Sequence, residues 1–428
     1  MLQTLRNAWR IEEIRRKILF TLLIILLYRL GNAIPVPYVN IAALQSYFAM
    51  LQNTVLGLLD VMSGGAFSNA TIFALSIQPY INASIIIQLL CIAIPALERM
   101  SKDEGEEGKK KIAAITRYVT VAIGLLQGFG FYMLIKNNGI LVADAQSSIW
   151  AAIVIILTFT SGSAIIMWLG EQITEHGIGN GISMILFASI ISRLPTSFVS
   201  SVRNIILGSL QWWVLLLMVL GALAIIVLIV FVNDSERRIP VQYAKRVVGR
   251  KMYGGQSTHL PMKVNMSGVM PIIFAQSIAS VPATIAAFAG STSGWVSTWF
   301  GTNSIPYAII YFLLIIFFAY FYSTIQFNPI EVANNLKKNG GYIPGFRPGK
   351  PTSEFIQKVL NKITLFGAIY LGIIAVVPIL VAHFSQSAAL TGISLGGTSI
   401  IIVVGVALET VRALEAQMLM RNYKGFLD

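Results

Sequence analysis

The sequence predicts an all-α integral membrane protein of about ten transmembrane helices, and three observations lead there. Of 428 residues, 56% are hydrophobic and only 11% charged, whereas an ordinary soluble domain carries about 25% charged residues. The apolar residues gather in runs near the ~20 needed to cross ~30 Å of hydrocarbon. Of the 31 Lys and Arg residues, all but Arg29, Lys136, Arg193 and Arg203 fall on the side of the N-terminus when the runs are threaded alternately. That asymmetry is the positive-inside pattern, and it predicts both termini in the cytoplasm.

The runs lie at 18–34, 74–95, 112–135, 148–169, 181–199, 212–232, 268–289, 306–326, 363–383 and 393–411. In lipid each must be helical, because every backbone polar group needs an internal partner. A β-barrel would alternate instead. Residues 1–17 form a polar cytoplasmic segment with no small-residue cleavage site after the first run, so no cleavable signal is expected. Two cytoplasmic loops, 233–267 and 328–362, are long and basic, and residues 412–428 form a tail. Such loops either mark topology at the headgroups or meet an anionic partner.

Residues 57–73 (GLLDVMSGGAFSNATIF) break the pattern. They are too short and too interrupted by Gly and Ser to span. A surface helix and a re-entrant segment both remain open, and the residues alone favour the surface helix. The run Gly177–Gly181 (GIGNG) lacks the spacing and strand context of a dinucleotide site and reads as a flexible helix entry. No phosphate loop, metal-ligand spacing or nucleophile motif occurs, so neither cofactor nor metal is expected and the chain reads as no enzyme. Cys91 sits in an apolar run and reads as a small buried residue. Midplane polar groups are neutral amides: Asn82, Gln88 and Gln276. They serve either as interhelical glue or as the lining of a wettable seam. A secondary transporter of a small solute, the alternative function, would need midplane charges or broken helices, and an intramembrane enzyme would need paired catalytic groups.

The stretches SGGAFSNATIFALSIQPYINASIIIQLL (63–90), KKKIAAITRY (109–118), MWLGEQITEHGIGNGIS (167–183), YAKRVVGRKMYGGQSTHLPMKVNMSGVMP (243–271), FNPIEVANNLKKNGGYIPGFRPGK (327–350) and GGTSIIIVVGVALE (396–409) carry a resemblance. Through them the chain resembles the SecY-type protein-conducting channels along essentially its whole length. The resemblance implies two inverted five-helix halves, 18–199 and 200–411, around an hourglass pore. It implies a plug at 57–73, with Asp60, Val61, Met62, Ser63, Gly64, Gly65, Ala66 and Phe67 at its centre, which reverses the preference for a surface helix. It implies an apolar pore ring of Ile77, Ile81, Ile182, Leu186, Ile273 and Ile402, where Leu186 keeps the bulk of an isoleucine. It implies a lateral gate between the second and seventh helices, with Asn82, Gln88, Gln276 and Val281, and docking residues Arg250, Lys251 and Arg347 in the basic loops. The implied partners are SecE-type and SecG-type membrane subunits, the SecA ATPase, a ribosome with its nascent chain, signal peptides, nascent membrane proteins and membrane lipids. The implied site is the bacterial cytoplasmic membrane. The implied channel is passive, with energy from the partner ATPase or ribosome and the membrane potential.

Overall fold

A computed structural model describes all residues except 1–5, 7, 52–53, 103–104, 146–147, 209–210, 244–245, 249–250, 254–256, 289–298, 302–303, 386–387 and 425–428. Each of the ten apolar runs forms a helix over most of its length: α1 Glu12–Gly31, α2 Gln78–Ala93, α3 Gly105–Asn137, α4 Ile149–His176, α5 Gly181–Ile206, α6 Trp212–Asp234, α7 Met270–Phe288, α8 Ile305–Gln326, α9 Lys350–Ser385 and α10 Ala388–Lys424. Among the described residues, seven helices are long and apolar enough to cross a membrane: α3 to α9. The lipid-like character of the surface is plainest on α6, where Trp212, Trp213, Leu216, Leu217, Leu220 and Phe231 all stand exposed. An apolar face of that extent is stable against hydrocarbon and not against water.

Local chemistry sets several helix starts. The Ser148 hydroxyl accepts from the Ala151 amide at the head of α4, and the Ser304 hydroxyl accepts from the Tyr307 amide at the head of α8. At the head of α5 the Asn180 carboxamide accepts from the Ile182 and Ser183 amides. The GIGNG run is therefore a tight, capped turn, not the flexible entry expected from sequence. Gly179 takes φ +72°, and a Cβ on Gly181 would strike the Gly170 carbonyl of α4.

The second span differs most from expectation. Helix α2 starts at Gln78, not near 74, and its 16 residues reach only ~24 Å. Residues 63–77 ahead of it run as turns, with Ala70 (φ 42°) and Ser76 (φ 50°) in the left-handed region. Their backbone is satisfied locally: Gly65 N–H donates to Asp60 O, Thr71 to Ala66, Ala74 to Thr71 and Ser76 to Phe73, while Ile72 and Ile34 join across to α1's exit. Irregular backbone at depth is tolerable when it is wrapped in protein in this way. Gly162 of α4 permits the wrapping, since a Cβ there would meet the Ile72 carbonyl.

Both long loops are more ordered than the sequence predicts. In the first, β1 (Glu236–Tyr243) pairs antiparallel with β4 (Ser257–Lys263), and a short hairpin joins β2 (Arg246–Val248) to β3 (Lys251–Tyr253). In the second, a helix at Pro329–Lys338 leads to β5 (Gly341–Tyr342), which pairs with the other edge of β1. The two loops thus share one sheet, in the order β4-β1-β5. The segment 350–362, expected as loop, is the first third of α9. Ile356 and Leu360, one turn apart, are buried against Ile239, Val241 and Met262 of the sheet. Apolar residues at that spacing give a charged stretch one buried face, which stabilises helix beyond the hydrocarbon. The tail expected from 412 also continues as helix, to Lys424. Arg412 there donates to the Asn233 carbonyl at 2.6 Å and to Asp234 at 2.7 Å.

Candidate functional site

Between α1 and α2 lies a short helix, Val55–Met62, followed by the turns of 63–77. The helix touches α5, α7 and α10. Those three helices, with the head of α2, carry all six residues assigned to the ring. Ile77, Ile81, Leu186, Ile273 and Ile402 are buried in one apolar cluster, and Ile182, partly buried, packs against it. Met62 belongs to the same cluster. Ile77 is the N-cap of α2, and its carbonyl accepts the Ile81 amide at 3.0 Å. That i,i+4 bond closes the first turn and sets the two side chains on one face.

The segment 57–73 is neither a surface helix nor a span. Asp60, Met62, Ser63, Gly65, Ala66 and Phe67 are all buried, while Val61 and Gly64 are partly so. Phe67 stacks on Phe131 of α3 with ring centres 4.1 Å apart, and it meets Phe48 edge-on at 5.3 Å. The Met62 thioether accepts from two amides, Gln78 Nε2 of α2 and Gln276 Nε2 of α7, each at 3.4 Å. The Asp60 carboxylate accepts from the Ser68 amide at 2.8 Å and pairs with the Arg193 guanidinium of α5.

A cavity of about 790 Å³ opens between α2, α3 and α7, with Leu59, Phe67 and Leu75 also in its lining. Of the four residues assigned to the lateral gate, Asn82 and Val281 line it. Gln276 instead faces Met62, and its Oε1 is buried without a hydrogen-bond partner among the described residues. Gln88 donates to Ser84 at 3.1 Å on its own helix and lies off the cavity. Sequence reasoning missed Gln78, Gln127 and Thr284, which supply polar atoms to the same walls. Gln78 and Gln127 carried a visible signal, a neutral amide in an apolar run. Arg193 was missed as well. Counted only as one of the four basic residues on the other side, it sits inside α5.

The docking residues divide three ways. Arg250 lies outside the described residues. Lys251 opens strand β3, its backbone paired with Val248. Arg347 is exposed on a turn held from both sides: Phe346 stacks on Phe355 at 4.2 Å, and the Thr352 hydroxyl donates to the Arg347 carbonyl at 2.8 Å. Where the sheet meets α10, burial first and then the Arg412 guanidinium lower the pKa of the Lys263 ammonium. No group of three or more His, Cys, Asp or Glu able to hold a metal occurs among the described residues.

The SecY family model matches residues 71–411. Curated relatives match end to end. The protein translocase subunit SecY of Streptomyces scabiei is 45% identical over 443 residues, covering 100% of both chains. The protein translocase subunit SecY of Mycobacterium tuberculosis H37Rv is 45% identical over 446 residues, again covering 100% of both. Among solved structures, a protein-conducting channel superposes with TM-score 0.68 at 17% identity, covering 94% of this chain and 92% of that one. Sec61 in the canine ribosome–channel complex from the endoplasmic reticulum superposes with TM-score 0.64 at 16% identity, over the same shares. The architecture is that of the channel fold, the chain is a multi-pass membrane protein, and it belongs to the SecY family.

Proposed function

We propose that this chain is the protein-conducting channel of a bacterial export system. It passes unfolded secretory polypeptides across the cytoplasmic membrane and releases transmembrane segments sideways into it. The observation that carries the reading is the convergence of six bulky apolar side chains on Met62, at the end of a short helix that touches α5, α7 and α10. An apolar constriction dewets and so stops ions without a tight gasket. It also offers no fixed hydrogen-bonding partner, so it accepts any side chain that passes.

The channel rests with residues 57–73 as plug and Ile77, Ile81, Ile182, Leu186, Ile273 and Ile402 as ring. Met62 ties the plug to both sides of the seam through Gln78 and Gln276. The buried, unpaired Gln276 oxygen costs the closed seam about 1–3 kcal/mol. Opening the seam to water returns that cost. A signal peptide, with an apolar core of roughly 7–15 residues, enters the cavity between α2, α3 and α7 and parts the two halves. Segments that prefer lipid then leave through the seam. Leucine-like residues gain roughly 0.3–0.6 kcal/mol each, while a central charge costs roughly 2.5–3.5 kcal/mol. Partitioning decides the outcome, and the channel supplies access.

The shared sheet of the two basic loops is the docking platform for a ribosome or a SecA-type motor, which drives transport together with the membrane potential. Both termini lie in the cytoplasm. A SecE-type subunit clamps the halves, and a SecG-type subunit sits at the edge. A transporter of small solutes has no comparable support, since of the midplane amides Asn82 lines the seam, Gln276 meets Met62 and Gln88 bonds within its own helix.

The test is photocrosslinking from a photoreactive residue at Ile81 to a stalled secretory chain in vesicles. A crosslink to the chain is expected. Its absence, together with solute uptake by the same vesicles, moves the assignment to a transporter. A second variant addresses the platform. Arg347→Glu is expected to lower motor-driven export severalfold at unchanged thermal stability, because the side chain is exposed on a turn whose stacking it does not share. Normal motor-dependent transport by that variant removes Arg347 from the docking surface.

A further inference from the structure

We propose that the Asp60–Arg193 ion pair is the latch that sets how apolar a signal must be to open this channel. The inference rests on the plug reading above and adds to it the residue on α5 that holds the plug. Most contacts of the plug are apolar: Phe67 on Phe131, and Met62 in the cluster of the ring. Apolar contacts are non-directional and slide at little cost. The ion pair is different. Asp60 is the only acidic residue of 57–73, and its side chain is 8% exposed against 31% for Arg193. One carboxylate oxygen accepts the Ser68 amide at 2.8 Å, which fixes the carboxylate within the plug's own turn, and the other faces the guanidinium.

Further plug contacts, one of them through Tyr28 of α1 to Ser189 of α5, lie near that pair. The Ser63 carbonyl accepts from the Tyr28 hydroxyl at 3.4 Å, and Tyr28 in turn shares a 2.7 Å hydrogen bond with Ser189. The backbone at Gly65 runs against the guanidinium, where a Cβ would approach Arg193 Nη2 to 3.0 Å. Two glycines with positive φ, Gly64 and Gly65, let the chain turn back over the arginine. The plug is thus held on α5 by an ion pair and on α1, α2 and α7 by neutral hydrogen bonds and packing.

Displacing the plug separates the pair. The carboxylate leaves a site where it is nearly buried and paired, so departure is resisted until the funnel is hydrated. The work of separation must come from the apolar segment that enters the seam. A stronger pair demands a more apolar signal, and a missing pair admits a weaker one. Arg193 is a positioning residue in this scheme, since it acts on the transported chain only through the plug.

The experiment uses the full chain purified with its proposed membrane subunits and reconstituted in vesicles. Resting ion conductance and export of a reporter with a weakened signal are read for Asp60→Asn, Arg193→Gln, the double variant and Arg193→Lys. Thermal unfolding in detergent identifies any variant that has not folded. Each neutral single variant is expected to raise both readouts by about tenfold, the effect of one disrupted two-state contact. The double variant is expected to exceed neither single variant, because the second change finds the pair already broken. Arg193→Lys keeps the charge and is expected to stay close to wild type, which also covers the case in which Arg193→Gln does not fold. Single variants as tight as wild type overturn the latch, and so do effects that multiply in the double variant. Export by the wild-type chain is measured in the same vesicles. If the wild type exports and the variants stay tight, the latch alone fails. If the wild type exports nothing, the channel reading fails and takes the latch with it.

Discussion

Deleting residues 60–68 is expected to raise the resting ion conductance of reconstituted vesicles by about tenfold or more, since only the apolar ring then separates the two aqueous sides. The deletion removes Met62, which takes hydrogen bonds from Gln78 and Gln276, and Phe67, which stacks on Phe131. It leaves open the space that these side chains fill, Met62 within the apolar cluster of the ring and Phe67 at the wall of the seam cavity. A ring of six side chains must then form the whole barrier, and thermal motion of α2 against α7 opens it transiently. Planar-bilayer recordings of the full chain, without a motor or signal peptide, measure the effect. A conductance equal to wild type would mean that 57–73 is packing and not a plug.

Ile402→Asn is expected to be the most damaging single change in the ring. Ile402 is 1% exposed and belongs to the same cluster as Ile77, Ile81, Leu186 and Ile273. The new carboxamide finds apolar neighbours, and an unsatisfied amide at such a site costs about 1–3 kcal/mol. That penalty falls on the closed, dry state and is relieved when water enters. It therefore shifts the balance toward open states by roughly 5- to 150-fold. Export of a reporter with a defective signal should rise accordingly, while the melting temperature in detergent falls. Unchanged discrimination between intact and defective signals would take Ile402 out of the ring.

The two predictions draw on different kinds of legibility. The existence of ten helices could be read from the runs, because hydrocarbon imposes length and apolarity on every segment that crosses it. Boundaries were less legible. Residues 74–77 are as apolar as α2 itself, yet Ser76 at φ 50° ends the turns just before the helix begins. The charges of 350–362 hid a helix whose buried face is only Ile356, Leu360 and their neighbours. Of the candidate site, the ring residues and the plug came from a resemblance, not from composition. Any one buried isoleucine looks like any other in an apolar chain. Among the amides, Asn82 lines the cavity between α2, α3 and α7, whereas Gln276 faces Met62 and Gln88 bonds within its own helix.

By itself, the sequence determined the membrane class and the approximate helices. Those follow from properties summed along the chain, which the bilayer reads segment by segment. Only the tertiary structure decided that β5 of one loop would pair with β1 of the other, that the Met62 sulfur would lie between Gln78 and Gln276, and that Asp60 would find Arg193 133 residues away. Each of these depends on which distant segments the fold brings side by side. Hydropathy and spacing contain no term for that, because they describe a residue's preference for a medium and not for a neighbour.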